Sequence, residues 1–308
     1  MKGEILKILS ENRESVYSGE KLSEGLGVSR VSIWKHIKKL QQLGYQIESS
    51  AVGYQLVSSP DALYPWEFPT WEPNIHYYSE VDSTMTIAKE LAGKGSPHFT
   101  VIIAEKQRSG RGRLSRTWYS DTGGLYFTII LRPQIPPPLM SRYGFAASLV
   151  LARTIQHHFE IDARVKWPND ILVNEKKLCG MLSEMEVSDE RVTFLNIGIG
   201  INVNNDPTHM EPNATSIRAL TGKTTPRKKV LTHFLEAFEK EISRPNLDHV
   251  LTEWKKYTIT LGRDVRIVTT QDTQCGKAVD IDHTGALVLE LPDGTVKKVF
   301  YGDCFHQP

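Results

Sequence analysis

The chain has 308 residues, of which 40% are hydrophobic and 24% are charged, and its formal net charge is +1. These values are typical of a globular protein, so they exclude a largely disordered or fibrous chain and confine any nucleic-acid site to a local surface. The three cysteines form no CxxC pair, the first residues lack the apolar core of a signal peptide, and no apolar run approaches the ~18 residues needed to span a membrane. We therefore expect a cytoplasmic protein that has no disulfide scaffold and no membrane partner.

Residues 1–60 are predicted to form a winged helix-turn-helix domain. Ser29 is placed to begin a helix with an apolar stripe, and two short strand-like runs flank Gly53. A helix that enters the major groove of DNA needs positive charge, and it needs short polar side chains near its start to reach the base edges. The side chains that fit these tasks, and that we predict to bind DNA, are Arg30, Ser32, Lys35 and His36. The alternative is a small helical packing domain with a solvated basic face.

Residues 61–260 are predicted to form a catalytic domain of the α/β or α+β class. The proline-containing segment 58–75 is interpreted as a linker or a crossover packed between domains. Alternating patterns follow it, with predicted strands at 101–106, 125–132, 163–168, 170–174 and 192–203. Helices are predicted at 84–93, 140–159 and 227–243.

Residues 261–308 are predicted to form a small antiparallel β domain. Apolar and polar residues alternate there between HTG and DG turns, which indicates four or five strands in an SH3-like arrangement. No catalytic constellation is visible in this part of the sequence. A lid or docking role is expected, with simple stabilisation as the alternative.

The segment 107–120, QRSGRGRLSRTWYS, is the most informative for chemistry. Arginines alternate with Gly110 and Gly112, and Trp118 follows them. Glycine lets backbone N–H groups approach an anion, and the arginine fork binds phosphate or carboxylate oxygens. The spacing matches neither a Walker loop nor a Rossmann fingerprint. A nucleotide or acid-anhydride site is therefore predicted, with a flexible basic surface loop as the alternative.

Three further segments carry candidate site residues. In KWPNDILVNEKKLCGM, Asp170 is placed to help hold a divalent cation, and Lys177 to offset charge at phosphorus. The alternative for this segment is a structural turn with an exposed lysine. In SEVDSTM, Ser83 or Thr84 is predicted to cap a helix. In GIGIN, two glycines within a strand indicate a close backbone approach, and Asn202 would then face a ligand.

With these motifs in order, the chain resembles the bifunctional biotin protein ligases that double as the biotin operon repressor. The resemblance runs from LGVSRVSIWKHIKKLQQLGY through DST, GRGRLSRTW and KWPNDILVNEKKLCG to GIGIN, and so covers nearly the whole length. It implies a winged helix-turn-helix, a central mixed-sheet ligase domain like that of class II synthetases, and a C-terminal SH3-like β-barrel. One departure is Leu114-Ser115, where many members have Arg-Gly or a similar small pair.

The resemblance also implies the ligands of individual residues. The residues implied to bind biotin are Ser83, Thr84, Met85, Gln107, Arg111, Gly112, Arg113 and Lys177. Those implied to bind ATP or the adenylate are Arg113, Arg116, Trp118, Asn169, Asp170 and Asn202. The catalytic set implied is Arg113, Arg116 and Lys177. No resident metal site is expected.

The implied reaction activates biotin with ATP and Mg²⁺ to biotinyl-5'-AMP. The biotinyl group then passes to a lysine of a biotin carboxyl carrier protein. The implied regulation is binding of operator DNA by a homodimer that forms on adenylate or DNA binding, so that biotin is both substrate and corepressor precursor. The alternatives are a ligase whose winged helix has no operator-binding role, a ligand-sensing repressor that only binds its ligands, and a related lipoate-type acid ligase.

Overall fold

The computed structural model describes residues 1–189 and 191–307. The chain divides into two compact units, the first spanning Met1–Pro73 and the second beginning at Asn74. Within the described residues, none of the helices has the length and apolar character needed to cross a bilayer.

The first unit is a helix-turn-helix followed by a β-hairpin, as the sequence predicts. Its elements are α1 (Lys2–Glu11), α2 (Gly19–Leu26), α3 (Arg30–Gln42), β1 (Gln46–Ser50) and β2 (Gly53–Ser58). The Ser29 hydroxyl accepts a hydrogen bond from the Ser32 amide at 3.2 Å and so begins α3, the second helix of the motif. The two strands pair antiparallel and form the wing.

The core of this unit is an apolar cluster between the helices and the wing. Ile33, Ile37 and Leu40 of α3 are fully buried, because they recur at helical spacing on one side of the helix. The segment interpreted as a linker or crossover also packs here. The Trp66 indole donates to the Tyr45 hydroxyl at 3.0 Å, and Tyr45 in turn donates to Glu67. The compact unit therefore extends beyond residue 60.

A seven-stranded mixed sheet forms the centre of the second unit. Its order is β3-β4-β5-β9-β8-β7-β6, and only the β3–β4 pair is parallel. The strands are β3 (Ile75–Tyr78), β4 (Thr100–Ala104), β5 (Leu125–Leu131), β6 (Arg164–Lys166), β7 (Asp170–Val173), β8 (Lys176–Ser188) and β9 (Arg191–Ile201). The five predicted strands are present, whereas β3 and β8 were not predicted.

Helices accompany this sheet. They are α4 (Thr84–Gly93), α5 (Ser141–Phe159), α6 (Ile217–Thr221), α7 (Arg227–Ile242) and α8 (Asp248–Tyr257). Phe145 of α5 packs edge-on against Trp254 of α8, with ring centroids 5.0 Å apart. The three predicted helices correspond to α4, α5 and α7. Because β4, β5, most of β9 and most of α5 are buried, they supply a rigid frame for the loops that carry the arginines.

The C-terminal part of the second unit is a five-stranded antiparallel sheet of order β13-β12-β11-β10-β14. Its strands are β10 (Asp264–Val268), β11 (Thr273–Ile281), β12 (Leu287–Glu290), β13 (Val296–Val299) and β14 (Asp303–His306). The predicted strand number and direction are confirmed. In the described residues β13 and β14 remain the two sheet edges, so the sheet is not a closed barrel.

Candidate active site

A cavity of about 440 Å³ lies in the second unit, beside the strands β7, β8 and β9. All of the residues that the sequence and the resemblance assigned to biotin, ATP or catalysis line it: Ser83, Thr84, Met85, Gln107, Arg111, Gly112, Arg113, Arg116, Trp118, Asn169, Asp170, Lys177 and Asn202. The fold brings these residues together from four separate segments of the chain.

The start of α4 forms a neutral hydrogen-bonding corner of the cavity. Ser83 caps the helix by accepting from the Met85 amide at 3.3 Å. The Gln107 side-chain oxygen accepts from the Thr84 amide at 2.8 Å and from its hydroxyl at 3.1 Å. Its amide nitrogen donates to Ser120 at 2.8 Å. These hydrogen bonds hold the uncharged side chains in fixed positions at the wall of the cavity.

The segment 107–120, called the arginine loop from here on, folds back on itself. The Gly112 amide donates to the Arg116 carbonyl at 2.8 Å, which closes a tight turn. Leu114 and Ser115 lie at the tip of this turn with φ of 50° and 58°, in the left-handed region that favours glycine. Leu114 and Ser115 are the two residues at which this chain departs from the Arg-Gly pair of the family it resembles. They therefore lie where a left-handed φ disfavours a side chain.

Each arginine of the loop has a different carboxylate or amide partner. Arg111 forms an ion pair with Glu184 of β8. Arg113 is half-buried and donates to the Asn169 side-chain oxygen at 3.3 Å. Burial lowers the pKa of the Arg113 guanidinium, and the charge of Asp303 opposes that shift. A desolvated guanidinium with one weak partner is suited to bind an incoming anion.

Arg116 joins the loop to the C-terminal sheet. Its guanidinium lies 2.5 Å from a carboxylate oxygen of Asp303 and 5.9 Å from the ring of Phe305. Both partners belong to β14, and His306 of the same strand also lines the cavity. The sequence did not predict this wall, because the residues of β14 show no motif until the fold places them beside the loop. Glu175, at the turn between β7 and β8, also lines the cavity and was not singled out, although it lies within the KWPNDILVNEKKLCGM segment.

Lys177 and Asp170 form the pair on the opposite wall. The Lys177 ammonium lies 2.9 Å from the Asp170 carboxylate and 5.5 Å from the centre of a Trp118 ring. Asn169 donates to the Met181 carbonyl, which fixes its side-chain oxygen towards Arg113. This distance places Lys177 and Asp170 at the same wall of the cavity.

Glycines in β8 and β9 leave space in which the side chains of Trp118 and Met85 pack. A Cβ on Gly200 would lie 2.4 Å from the Trp118 indole nitrogen, and one on Gly180 would lie 2.8 Å from the Trp118 ring. A Cβ on Gly198 would lie 2.7 Å from the Met85 sulfur. The close approach expected at GIGIN is therefore real, and the groups that approach are Trp118 and Met85. Asn202 is buried and accepts from Asn205 at 2.9 Å.

Three family models match the chain in the order of its parts. The HTH domain matches residues 3–55, the biotin/lipoate A/B protein ligase family matches residues 77–204, and the biotin protein ligase C terminal domain matches residues 260–307.

Characterised relatives extend over almost the whole chain. The bifunctional ligase/repressor BirA of Bacillus subtilis (strain 168) is 35% identical, with 98% of each chain covered. The protein of the same name from Escherichia coli (strain K12) is 28% identical, with 93% of this chain and 92% of the other covered.

Among solved structures, the biotin protein ligase from Aquifex aeolicus in complex with biotin and ATP superposes with a TM-score of 0.65 at 29% identity. It covers 76% of this chain and 98% of its own. The chain therefore belongs to the bifunctional ligase/repressor family of biotin protein ligases.

Proposed function

We propose that the protein is an ATP-dependent, AMP-forming biotin protein ligase that also acts as a biotin-responsive transcriptional repressor. The observation that carries the ligase function is the single cavity in which the neutral corner at α4, the arginine loop and the Lys177–Asp170 pair face one another. A site for joining a carboxylic acid to a nucleotide needs these three kinds of group in one place.

The neutral corner is proposed to bind the ureido head of biotin. Ser83, Thr84 and Gln107 supply uncharged donors and acceptors, and Met85 supplies an apolar contact. Arg111, Gly112, Arg113 and Lys177 complete the set proposed to contact biotin. Arg111 is paired with Glu184, so its side chain contributes by fixing the loop and its backbone by approaching the ligand.

The arginine loop and Lys177 are proposed to catalyse adenylate formation. A biotin carboxylate oxygen attacks the α-phosphorus of ATP, the bond to the bridging oxygen breaks, and pyrophosphate leaves. Carboxylate and triphosphate repel each other, so Arg113, Arg116 and Lys177 must offset the negative charge that gathers at phosphorus. Asp303 and Asp170 hold two of these cations in position beforehand.

Trp118, Asn169, Asp170 and Asn202 are proposed to hold the nucleotide. The Trp118 indole offers a flat face for stacking, and its ring nitrogen is buried without a hydrogen-bond partner among the described residues. Mg²⁺ is proposed to arrive with ATP. The Asp170 carboxylate and the Asn169 side-chain oxygen line the cavity and would hold the ion there in exchange for their contacts with Lys177 and Arg113.

The second half-reaction is proposed to be acyl transfer. The amine of a lysine on a biotin carboxyl carrier protein attacks the acyl carbon of the adenylate, the acyl–phosphate bond breaks, and AMP leaves while the amine loses a proton. The adenylate is prone to hydrolysis, so a loop ordered over it would exclude water until the carrier arrives.

The remaining parts are proposed to serve regulation in the cytoplasm. Arg30, Ser32, Lys35 and His36 on α3 would contact operator DNA, and a homodimer would form on adenylate or DNA binding. We propose that residues 1–60 carry DNA binding, residues 61–260 the ligase chemistry and residues 261–308 the C-terminal domain, while the segment up to Pro73 packs with the first compact unit. We also propose a class II synthetase-like central domain and a C-terminal domain that is an open relative of the SH3-like barrel.

Biotin-dependent ATP–pyrophosphate exchange tests the ligase function, with lipoate offered in parallel. We expect exchange with biotin alone. Lys177→Ala should slow exchange about a hundredfold, because the lost charge acts on the transition state, while biotin binding changes less. Lys176→Ala, the exposed neighbour outside the cavity, is the control and should leave exchange intact. Exchange with lipoate but not biotin would establish the alternative ligase.

A further inference from the structure

Helix α3 carries two exposed apolar side chains. Val31 is 63% exposed and Trp34 is 50% exposed. They are three residues apart and therefore neighbours on one side of the helix, away from the buried stripe of Ile33, Ile37 and Leu40. A large indole left half in water beside a second apolar residue indicates a surface that binds a partner.

The charges around this pair identify the class of partner. Arg30, Lys35, Lys38 and Lys39 of the same helix are all exposed, and the first turn of α3 has no acidic residue. A complementary surface must therefore be anionic at its rim and apolar at a point within it. The major groove of DNA has this character, since phosphates form its edges and the 5-methyl group of thymine projects into it.

The geometry points to Val31 and Trp34 as the residues that read thymine methyl groups in the operator. This inference rests on the proposed DNA-binding function and adds an apolar contact to the polar ones assigned to Arg30, Ser32, Lys35 and His36. The basic side chains contribute affinity for any duplex, whereas the apolar pair distinguishes thymine from the other bases.

Uracil tests the idea, because it differs from thymine only by that methyl group. Burying one methyl group corresponds to about fourfold in affinity. The probe is the duplex that the full-length protein, with biotin and ATP present, enriches most strongly from a random-sequence pool. This duplex is then synthesised with uracil in place of each thymine in turn.

The wild-type protein should lose about fourfold in affinity for each contacted thymine that is replaced. Trp34→Ala and Val31→Ser should bind the thymine duplex more weakly and lose the distinction between the two bases. Val16→Ala removes an apolar side chain that is 43% exposed outside α3, and it should keep the distinction. Pyrophosphate exchange and thermal melting of the same preparations verify that the variants are folded.

Two results would overturn the inference while leaving DNA binding intact. One is an equal loss on uracil substitution in the wild type and in both α3 variants. The other is no loss at any thymine, with Trp34→Ala altering only the sedimentation of the free protein, which would make the pair a contact between proteins. Failure of the wild type to enrich any sequence would contradict the DNA-binding function itself, and the inference with it.

Discussion

Arg113 is the residue on which retention of the adenylate depends most in this account. It is the half-buried arginine of the loop, its pKa is lowered by burial, and its hydrogen bond to Asn169 is long at 3.3 Å. Arg116 and Arg111, by contrast, have ion-pair partners in Asp303 and Glu184. Arg113 is thus the guanidinium most available to an anion.

Arg113→Gly should therefore leave a folded protein that releases its intermediate. We expect biotinyl-adenylate to dissociate at least tenfold faster and to label unrelated lysines, because a charge-assisted contact contributes about 1.5–3 kcal/mol. Release of labelled adenylate on rapid gel filtration measures this. Arg108→Gly is the matched control, since Arg108 is in the same segment but is exposed and paired with Asp82 outside the cavity. Retention of the adenylate by Arg113→Gly as firmly as by the control would remove the role given to Arg113.

At the scale of elements, β9 makes room for Trp118, the proposed nucleotide-stacking residue, by having no side chain at Gly200. Gly200→Ala would place a Cβ 2.4 Å from the Trp118 indole nitrogen, so the ring must move. We expect ATP affinity to fall about tenfold or more, since stacking of a base on an aromatic ring contributes about 1–3 kcal/mol. Calorimetric titration with ATP and the intrinsic tryptophan emission measure the two effects.

Gly93→Ala on α4 is the control for this substitution, because a Cβ there meets nothing within 4 Å. It should leave ATP affinity unchanged and add up to about 1 kcal/mol of stability, as alanine favours a helix more than glycine does. An ATP affinity and an emission spectrum for Gly200→Ala that match those of this control would show that Trp118 does not hold the nucleotide.

The elements that the sequence predicted are those whose signals are local. Ser29 and Ser83 cap helices through their own neighbouring amides, and the apolar stripe of α3 repeats within the helix. The strand β8 was missed because its second half is largely exposed and polar, and it is defined by pairing with β9. Tertiary pairing of this kind has no signature within the segment itself.

In the candidate site, too, residues with a local sequence signal were predicted, whereas those that depend on tertiary contacts were missed. Arg111, Arg113, Arg116 and Lys177 were predicted because their residue types fit anion chemistry, and all four line the cavity. Asp303 was not predicted, since its contact with Arg116 joins positions far apart in the sequence. The glycines of GIGIN correctly indicated a close approach, but the sequence alone did not distinguish a side chain such as Trp118 from a ligand.

At the scale of the whole molecule, one chain carries both the cavity proposed to form the adenylate and the helix proposed to bind DNA. A single winged helix covers few base pairs, so strong discrimination requires a twofold dimer on a palindromic site. The adenylate made in the cavity is the signal that such a chain has available. In the proposed homodimer, linkage requires that the adenylate bind the dimer more tightly than the monomer by the free energy that it adds to dimerisation.

The most direct measurement is a titration of the selected operator duplex with the full-length protein, with and without a non-reactive analogue of biotinyl-adenylate. We expect the analogue to tighten DNA binding by about 5–150-fold, the usual range for coupled sites. Arg30→Ala and Lys35→Ala should weaken this binding while ligase activity persists, since both residues lie on α3 and outside the cavity. Equal operator affinity with and without the analogue would contradict the account and leave a ligase whose winged helix does not respond to biotin.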